Sequence, residues 1–181
     1  MKIRKLLMLA CVAGMAGSTH AADLLPGGVF VQGGVGEDST RTATVGVLWP
    51  WSWRREFWGG EASAVTEVFL SHWSARGEGG RRSFTQLGGM VPLLRYRFSR
   101  GQSPWFLEAG IGLSVMHPVY RTARKEFSTN FNFVDVAGVG YSFGERRNHE
   151  LSLRAIHLSN GGIKHPNPGE NLLQLRYAMM Y

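Results

Sequence analysis

The chain has 181 residues, of which 44% are apolar, and its 20 basic and 13 acidic side chains give a net charge of +7. This length suits a single domain. No apolar run approaches the roughly 18 residues of a membrane-spanning helix, which excludes such a helix. The modest charge excess does not indicate a nucleic-acid-binding protein.

Residues 1–21 have the pattern of a secretory signal peptide. Three basic residues precede an apolar stretch over residues 6–17, and Ala21 ends a cleavage site with small residues at both key positions. The apolar stretch is too short to span a bilayer. Cleavage leaves one domain over residues 22–181, with 17 basic and 13 acidic side chains and a net charge of +4.

The single cysteine, Cys11, lies inside this signal. A lipoprotein would need that cysteine at the cleavage point, with an apolar region of only about five residues before it, so this interpretation is disfavoured. The mature chain then has no cysteine, which excludes disulfides, thiol catalysis and cysteine-ligated zinc.

Eight segments of about 10 to 15 residues have the character of β-strands, several with clear alternation between apolar and polar residues. Their approximate bounds are 27–36, 40–50, 57–71, 83–98, 104–116, 130–143, 149–158 and 171–181. The sixth is ambiguous because Asp135 falls in the same row as Phe131 and Phe133. Pro92, inside the fourth, predicts a bulge or local break.

The connectors between these segments alternate in length. Those at 72–82, 117–129 and 159–170 are long and polar or charged, whereas those at 99–103 and 144–148 are short. Long outer loops and short periplasmic turns are typical of outer-membrane barrels, whose strands cross the bilayer at a tilt of about 40°. The pattern predicts an all-β fold: an eight-stranded antiparallel transmembrane β-barrel of the bacterial outer membrane.

Aromatic residues favour a membrane location. Four tryptophans cluster around the first short turn, where an aromatic girdle is expected: Trp49, Trp51, Trp53 and Trp58. The chain also ends on Tyr181, as outer-membrane proteins often end on an aromatic residue. The alternative is a secreted soluble sandwich or lipocalin-like barrel, which would bury the continuous apolar rows and leave few long charged side chains outside.

Charged residues on the polar rows are predicted to face the barrel interior and pair there: Glu61, Glu67, Glu108, Arg154 and Arg176. An eight-stranded barrel is filled by its own side chains, so a pore is not expected.

The most informative stretch lies near the C-terminus. On the seventh strand Leu151 and Leu153 belong to an apolar row that His157 and Ser159 continue. Counted from the start of this strand, His157 lies about 20 Å higher at a tilt of about 40°, near the outer-leaflet interface. A potential base and a potential nucleophile on a lipid-facing row predict an enzyme that acts on a lipid.

A serine nucleophile needs a base, and a histidine base works best when a carboxylate fixes its tautomer. Glu170 is the only acidic residue after Ser159, and it opens the eighth strand at the same rim as His157, so a Ser–His–Glu unit is geometrically possible. The glycine-rich turn over residues 160–162 has the backbone freedom to aim N–H groups at an oxyanion. A purely structural turn with an interfacial histidine stays an alternative.

His157, Ser159, the glycine-rich turn and Glu170 together resemble the lipid A 3-O-deacylases of the PagL type. The resemblance implies a Ser–His–Glu site on the outer-leaflet side of the barrel, with Ser159 as nucleophile, His157 as general base and then acid, and Glu170 as the orienting carboxylate. It also implies oxyanion stabilisation by the backbone N–H groups of Asn160 and Gly162. The implied reaction is hydrolysis of the ester that holds a 3-hydroxyacyl chain at position 3 of lipid A.

No metal or cofactor is expected, because His72, His117, His149 and His165 show no recurring ligand spacing. The expected partners are lipopolysaccharide and outer-membrane lipids and no nucleic acid, with a homodimer as a further candidate. Basic loop residues are candidates for contacts with lipid A phosphates or, equally, for solvated surface: Arg76, Arg81, Arg82, Arg121, Arg124, Lys125 and Lys164.

Two other functions fit the same residues. One is a non-enzymatic barrel acting as an adhesin or membrane stabiliser, in which Ser159 has no chemical role. The other is an acyltransferase, which usually needs an interior cavity for the acyl chain. The outward position of the pair favours the hydrolase.

Overall fold

A computed structural model of the chain describes residues 25–181, apart from the side chain of Val91, and consists of strands, turns and loops. The predicted signal peptide, residues 1–21, lies outside the described residues. Within residues 25–181 no helix is long and apolar enough to cross a membrane. The strands are β1 (Gly28–Gly36), β2 (Arg41–Phe57), β3 (Gly60–Gly77), β4 (Gly80–Arg97), β5 (Trp105–His117), β6 (Phe131–Phe143), β7 (His149–Ser159) and β8 (Glu170–Met180).

The eight strands close into a ring. Each strand pairs antiparallel with its sequence neighbours, and β1 also pairs with β8, where Gly28 lies opposite Met180. Following the register from Leu107 once around the ring returns to β5 at His117, ten residues further along. Such a stagger accompanies a strand tilt of about 40°. The predicted eight-stranded antiparallel barrel is confirmed.

The apolar rows cover the outside of the barrel. On β5, Leu107, Ile111 and Leu113 are about half exposed, whereas Phe106 and Glu108, which flank Leu107, are buried inside. The same alternation runs around the ring, so the outer surface is largely apolar. A soluble barrel would bury these rows, and the alternative fold is therefore wrong.

The extent of the β3–β4 hairpin differs from the prediction. The segment 72–82 is not a long loop, because β3 continues to Gly77 and β4 begins at Gly80, leaving a two-residue turn. Its charged side chains lie on both faces of the paired strands: Arg76 is opposite Arg81 on the outer face, whereas Arg82 is opposite the buried Ala75. The irregularity predicted at Pro92 is confirmed, since the β4–β5 register shifts between Met90 and Leu93.

Ion pairs fill the middle of the barrel. The Arg154 guanidinium donates to both oxygens of Glu67, at 3.1 and 3.0 Å, and its Nε donates to Glu108 Oε1 at 2.6 Å. Arg176 Nη1 donates to Glu67 Oε2 at 3.2 Å. These four predicted interior residues do pair, and the network extends to Arg95, which the prediction missed.

Glu61 is not part of this network, contrary to the prediction. It lies at the end of the β2–β3 hairpin and pairs with the exposed Arg54 at 2.8 Å. Glu61 and Glu67 lie on the same face of β3. The β2–β3 hairpin extends past the end of the neighbouring β1, so Glu61 lies beyond the enclosed part of the barrel, whereas Glu67 lies within it.

Replacing Arg154 by Met removes one hydrogen-bonding partner from each of two buried carboxylates, Glu67 and Glu108. We expect the free energy of unfolding to fall by about 3–5 kcal/mol, the usual cost of removing one partner from a buried pair. Urea unfolding in detergent micelles, followed by tryptophan fluorescence, measures it.

The control is Arg54→Met, which removes an exposed pair and should cost less than about 1 kcal/mol. Equal stability of the two variants would contradict a structural role for the interior network.

Candidate active site

The C-terminal end of β7 carries the two residues that the sequence singles out. Ile156 and Leu158 point into the barrel and are buried, whereas His157 and Ser159 alternate to the outer face and are half-buried. The lipid-facing surface therefore presents an imidazole and a hydroxyl two residues apart at the rim of the barrel.

Neighbouring strands surround His157 with polar side chains. The register places Asp135 of β6 on one side of it and Asn171 of β8 on the other. His157 Nδ1 is 2.7 Å from the Asn171 side-chain oxygen. The imidazole thus has a hydrogen-bond partner at Nδ1, which leaves Nε2 for chemistry.

Glu170 does not contact His157, contrary to the prediction. It is fully buried inside the barrel mouth, where it accepts from Lys125 Nζ at 3.2 Å and from the backbone N–H of Glu37 at 2.9 Å. The predicted rim is right but the face is wrong. Side chains alternate along β8, so Glu170 points inward and Asn171 points outward beside the imidazole.

The two predicted oxyanion donors are also engaged elsewhere. The backbone N–H of Asn160 donates to the Asn167 side chain at 3.0 Å, and that of Gly162 donates to the Asn160 side chain at 2.9 Å. The backbone N of Gly161 is instead 3.4 Å from Ser159 Oγ. The turn therefore presents the Gly161 N–H beside the hydroxyl.

The Asn160 side chain organises the loop that follows β7. It is buried, and its amide donates to the Lys164 carbonyl at 2.7 Å and to Ser128 Oγ at 3.1 Å. Ser128 belongs to the β5–β6 loop, so one side chain fixes the turn after Ser159 to a second loop at the same rim.

Gly169, at the other end of the loop, packs directly against the imidazole. A Cβ built there would lie 2.8 Å from His157 Cε1, and the residue has a φ of +68°. Only glycine combines this contact with this backbone conformation.

A cluster of charges at the barrel mouth supports the site from the inside. Lys125 Nζ contacts a carboxylate oxygen of Glu37 at 3.0 Å and the carbonyl of Gly169 at 3.0 Å, besides Glu170. Glu37 also lies beside Asn171, because the preceding Gly36 pairs with Leu172 on β8. The hydrogen bond from Lys125 holds the pKa of Glu37 below its ordinary value.

Three residues near His157 were missed at the level of sequence: Glu37, Asp135 and Asn171. Of the three, only Asp135 stands out in the sequence, because its carboxylate falls in a lipid-facing row with Phe131 and Phe133. Asn171 follows from the alternation of β8 once the strand start is known, and Glu37 depends on how the β1–β2 loop folds over the rim.

Known proteins match this chain over nearly its whole length. A family model described as lipid A 3-O-deacylase (PagL) matches residues 41–180. A lipid A deacylase PagL of Pseudomonas aeruginosa is 29% identical, covering 98% of this chain and 99% of that protein. Another from Bordetella bronchiseptica is 31% identical, covering 97% and 92%.

A solved structure has the same architecture. The crystal structure of the outer membrane enzyme PagL superposes with a TM-score of 0.73 at 26% identity, covering 85% of this chain and 99% of the other. The family model alone spans well over half of the chain, and the fold agrees with it. The chain therefore belongs to the PagL family of lipid A 3-O-deacylases.

Proposed function

We propose that this protein is an outer-membrane esterase that removes the 3-hydroxyacyl chain from position 3 of lipid A, with Ser159 and His157 as its catalytic residues. The observation that carries the proposal is their position: both lie on the lipid-facing row of β7, where an acyl chain in the bilayer can reach them. Family membership supports the lipid A substrate. It also favours the hydrolase over a non-enzymatic barrel.

The chemistry follows from the two side chains. His157 Nε2 takes the proton of the Ser159 hydroxyl while Oγ attacks the ester carbonyl. The imidazolium then gives that proton to the departing sugar oxygen, which leaves an acyl group on Ser159. A water molecule, deprotonated by the same imidazole, releases the fatty acid and restores the serine.

The Gly161 N–H is the donor we assign to the oxyanion. It replaces the N–H groups of Asn160 and Gly162, which are used within the loop. Because Asn160 fixes the turn through Lys164 and Ser128, the Gly161 N–H is held in place before the substrate arrives.

The site is proposed to lie at the outer leaflet. The loops next to His157 and Ser159, over residues 118–130 and 160–169, are the two longest, and long loops are extracellular in such barrels. Lys164 is exposed in the loop after Ser159 and is the basic residue we assign to a lipid A phosphate.

Ser159→Ala is expected to abolish deacylation, by about a thousandfold or more, because no other nucleophile replaces the hydroxyl. Mass spectrometry of lipid A incubated with refolded protein measures the loss of one 3-hydroxyacyl chain. His157→Ala should cost about as much, and the double variant little more, since the two residues act as a unit.

Ser83→Ala, which removes an outward-facing serine on β4, is the matched control and should retain activity. Deacylation by a folded Ser159→Ala barrel would contradict the proposed nucleophile.

Gly169→Ala is expected to lower turnover by roughly tenfold or more, because the added methyl group would displace the imidazole from Ser159. Gly162→Ala is a matched control: its φ is +78°, so the backbone strain is similar, but a Cβ there meets nothing within 4 Å. Initial rates on lipid A compare the two. Equal losses would show that strain in the loop, and not the contact with His157, causes the effect.

A further inference from the structure

An amide beside a catalytic histidine raises a chemical problem. Asn171 offers an oxygen that accepts and an NH₂ group that donates. If the NH₂ group faced Nδ1, the imidazole would carry its proton on Nε2 and could not act as a base toward Ser159. In a Ser–His–Asp triad, replacing the carboxylate by an amide lowers turnover about 10⁴-fold for this reason. A second group must therefore fix which way the Asn171 amide points.

Glu37 meets this requirement. Its carboxylate only accepts hydrogen bonds when ionised. Glu37 follows Gly36, which pairs with Leu172 on β8, so the register of β1 and β8 places Glu37 beside Asn171. The NH₂ group of Asn171 must therefore face Glu37. The amide oxygen then faces His157 Nδ1, 2.7 Å away, and accepts the Nδ1 proton. Nε2 is left unprotonated on the side available to Ser159.

Glu37 is itself held in place. Lys125 Nζ contacts its carboxylate at 3.0 Å and is fixed in turn by Glu170 at 3.2 Å. The backbone N–H of Glu37 donates to Glu170 Oε1 at 2.9 Å. The buried Glu170 thus anchors the β1–β2 loop that carries Glu37, although it does not reach the imidazole.

We infer that Glu37 and Asn171 are positioning residues that share the task of the single carboxylate in a Ser–His–acid triad. Asn171 fixes the Nδ1–H tautomer of His157, and Glu37 fixes the Asn171 amide. The inference rests on the proposed role of His157 as the base. No proton passes through the amide, because the Nδ1 proton stays on the ring throughout the reaction.

Other charges near the imidazole act differently. Asp135 lies opposite His157 on β6, and Lys125 lies beyond Glu37 at the barrel mouth. Both act on the imidazolium through space, so their effects do not require Asn171. This difference separates orientation through the amide from a general electrostatic effect.

A double-mutant cycle tests the inference by lipid A deacylation rates. Asn171→Leu is expected to lower kcat about a hundredfold and Glu37→Leu about tenfold, with little change in KM. In the Asn171→Leu background, Glu37→Leu should have a much smaller effect, because only the action of its charge through space remains once the amide is gone. Asp135→Asn should act by the same factor in both backgrounds.

Asn171→Asp is the variant that should recover the deacylation activity lost in Asn171→Leu. A carboxylate in direct contact with Nδ1 should restore activity relative to Asn171→Leu and make it independent of Glu37. Glu78→Leu, which removes a carboxylate from the β3–β4 turn, is the matched control and should leave kcat unchanged. If Glu37→Leu lowered kcat equally in both backgrounds, or not at all in the native one, the inference would be overturned.

Nitrogen NMR of ¹⁵N-histidine-labelled protein in micelles tests the tautomer without any activity. The His157 signals, identified by their loss in His157→Gln, should be those of the Nδ1–H form at pH 8 in both the native protein and Ser159→Ala. Glu37→Leu should shift them toward a mixture with the Nε2–H form. Unchanged signals would overturn the inference, whereas retained deacylation by Ser159→Ala would instead overturn the proposed function.

Discussion

Every residue of a closed antiparallel ring must face either lipid or a packed interior, and this constraint governs the whole molecule. Side chains alternate along each strand, and closure between β1 and β8 leaves no edge at which a polar group can reach water. Polar residues on inward rows must satisfy one another, as Glu67, Glu108 and Arg154 do. Such networks are costly to break but contribute modestly beyond an apolar filling, so their main effect here is to close the interior.

The candidate active site lies at the rim of the barrel, where this constraint is relaxed. Polar groups on an outward row meet hydrocarbon unless they lie at the rim, and His157 and Ser159 occur at the C-terminal end of β7. A site on the outside of a rigid barrel needs no entry channel, since the substrate diffuses to it within the membrane. An acyltransferase would need an interior cavity to hold the acyl chain, but this interior is filled with side chains. The geometry therefore suits a hydrolase, which releases the acyl chain into the bilayer.

Groups on both sides of the barrel wall hold this site. Outside, Asn171 contacts the imidazole, and Asn160 ties the turn after Ser159 to Ser128. Inside the mouth, Lys125 joins Glu37 and Glu170, which lie on different segments at the rim. These contacts hold Glu37 beside Asn171, the residue that contacts the imidazole of His157.

Much of the fold could be predicted because alternation and turn composition are local properties of the sequence. Strand number, the outward apolar rows and the position of His157 and Ser159 on one face all follow from period-two patterning. The irregularity at Pro92 follows from the proline itself, which cannot donate to the ladder. The hairpin around Gly77 and Gly80 was misjudged as a loop, because paired strands that leave the membrane carry charged residues on both faces. The family resemblance also came from local motifs, although it did not identify which residue contacts His157.

The sequence by itself determined the barrel, the lipid-facing pair and the family, since each depends on residues close together along the chain. Tertiary structure alone decided the partners of His157. A shift of one residue along β8 moves a side chain from the lipid face to the interior, so Glu170 became an anchor at the mouth and Asn171 the partner of the imidazole. Cross-strand register, set by closure of the whole ring, brings Asp135, Asn171 and Glu37 to one histidine from three distant parts of the chain.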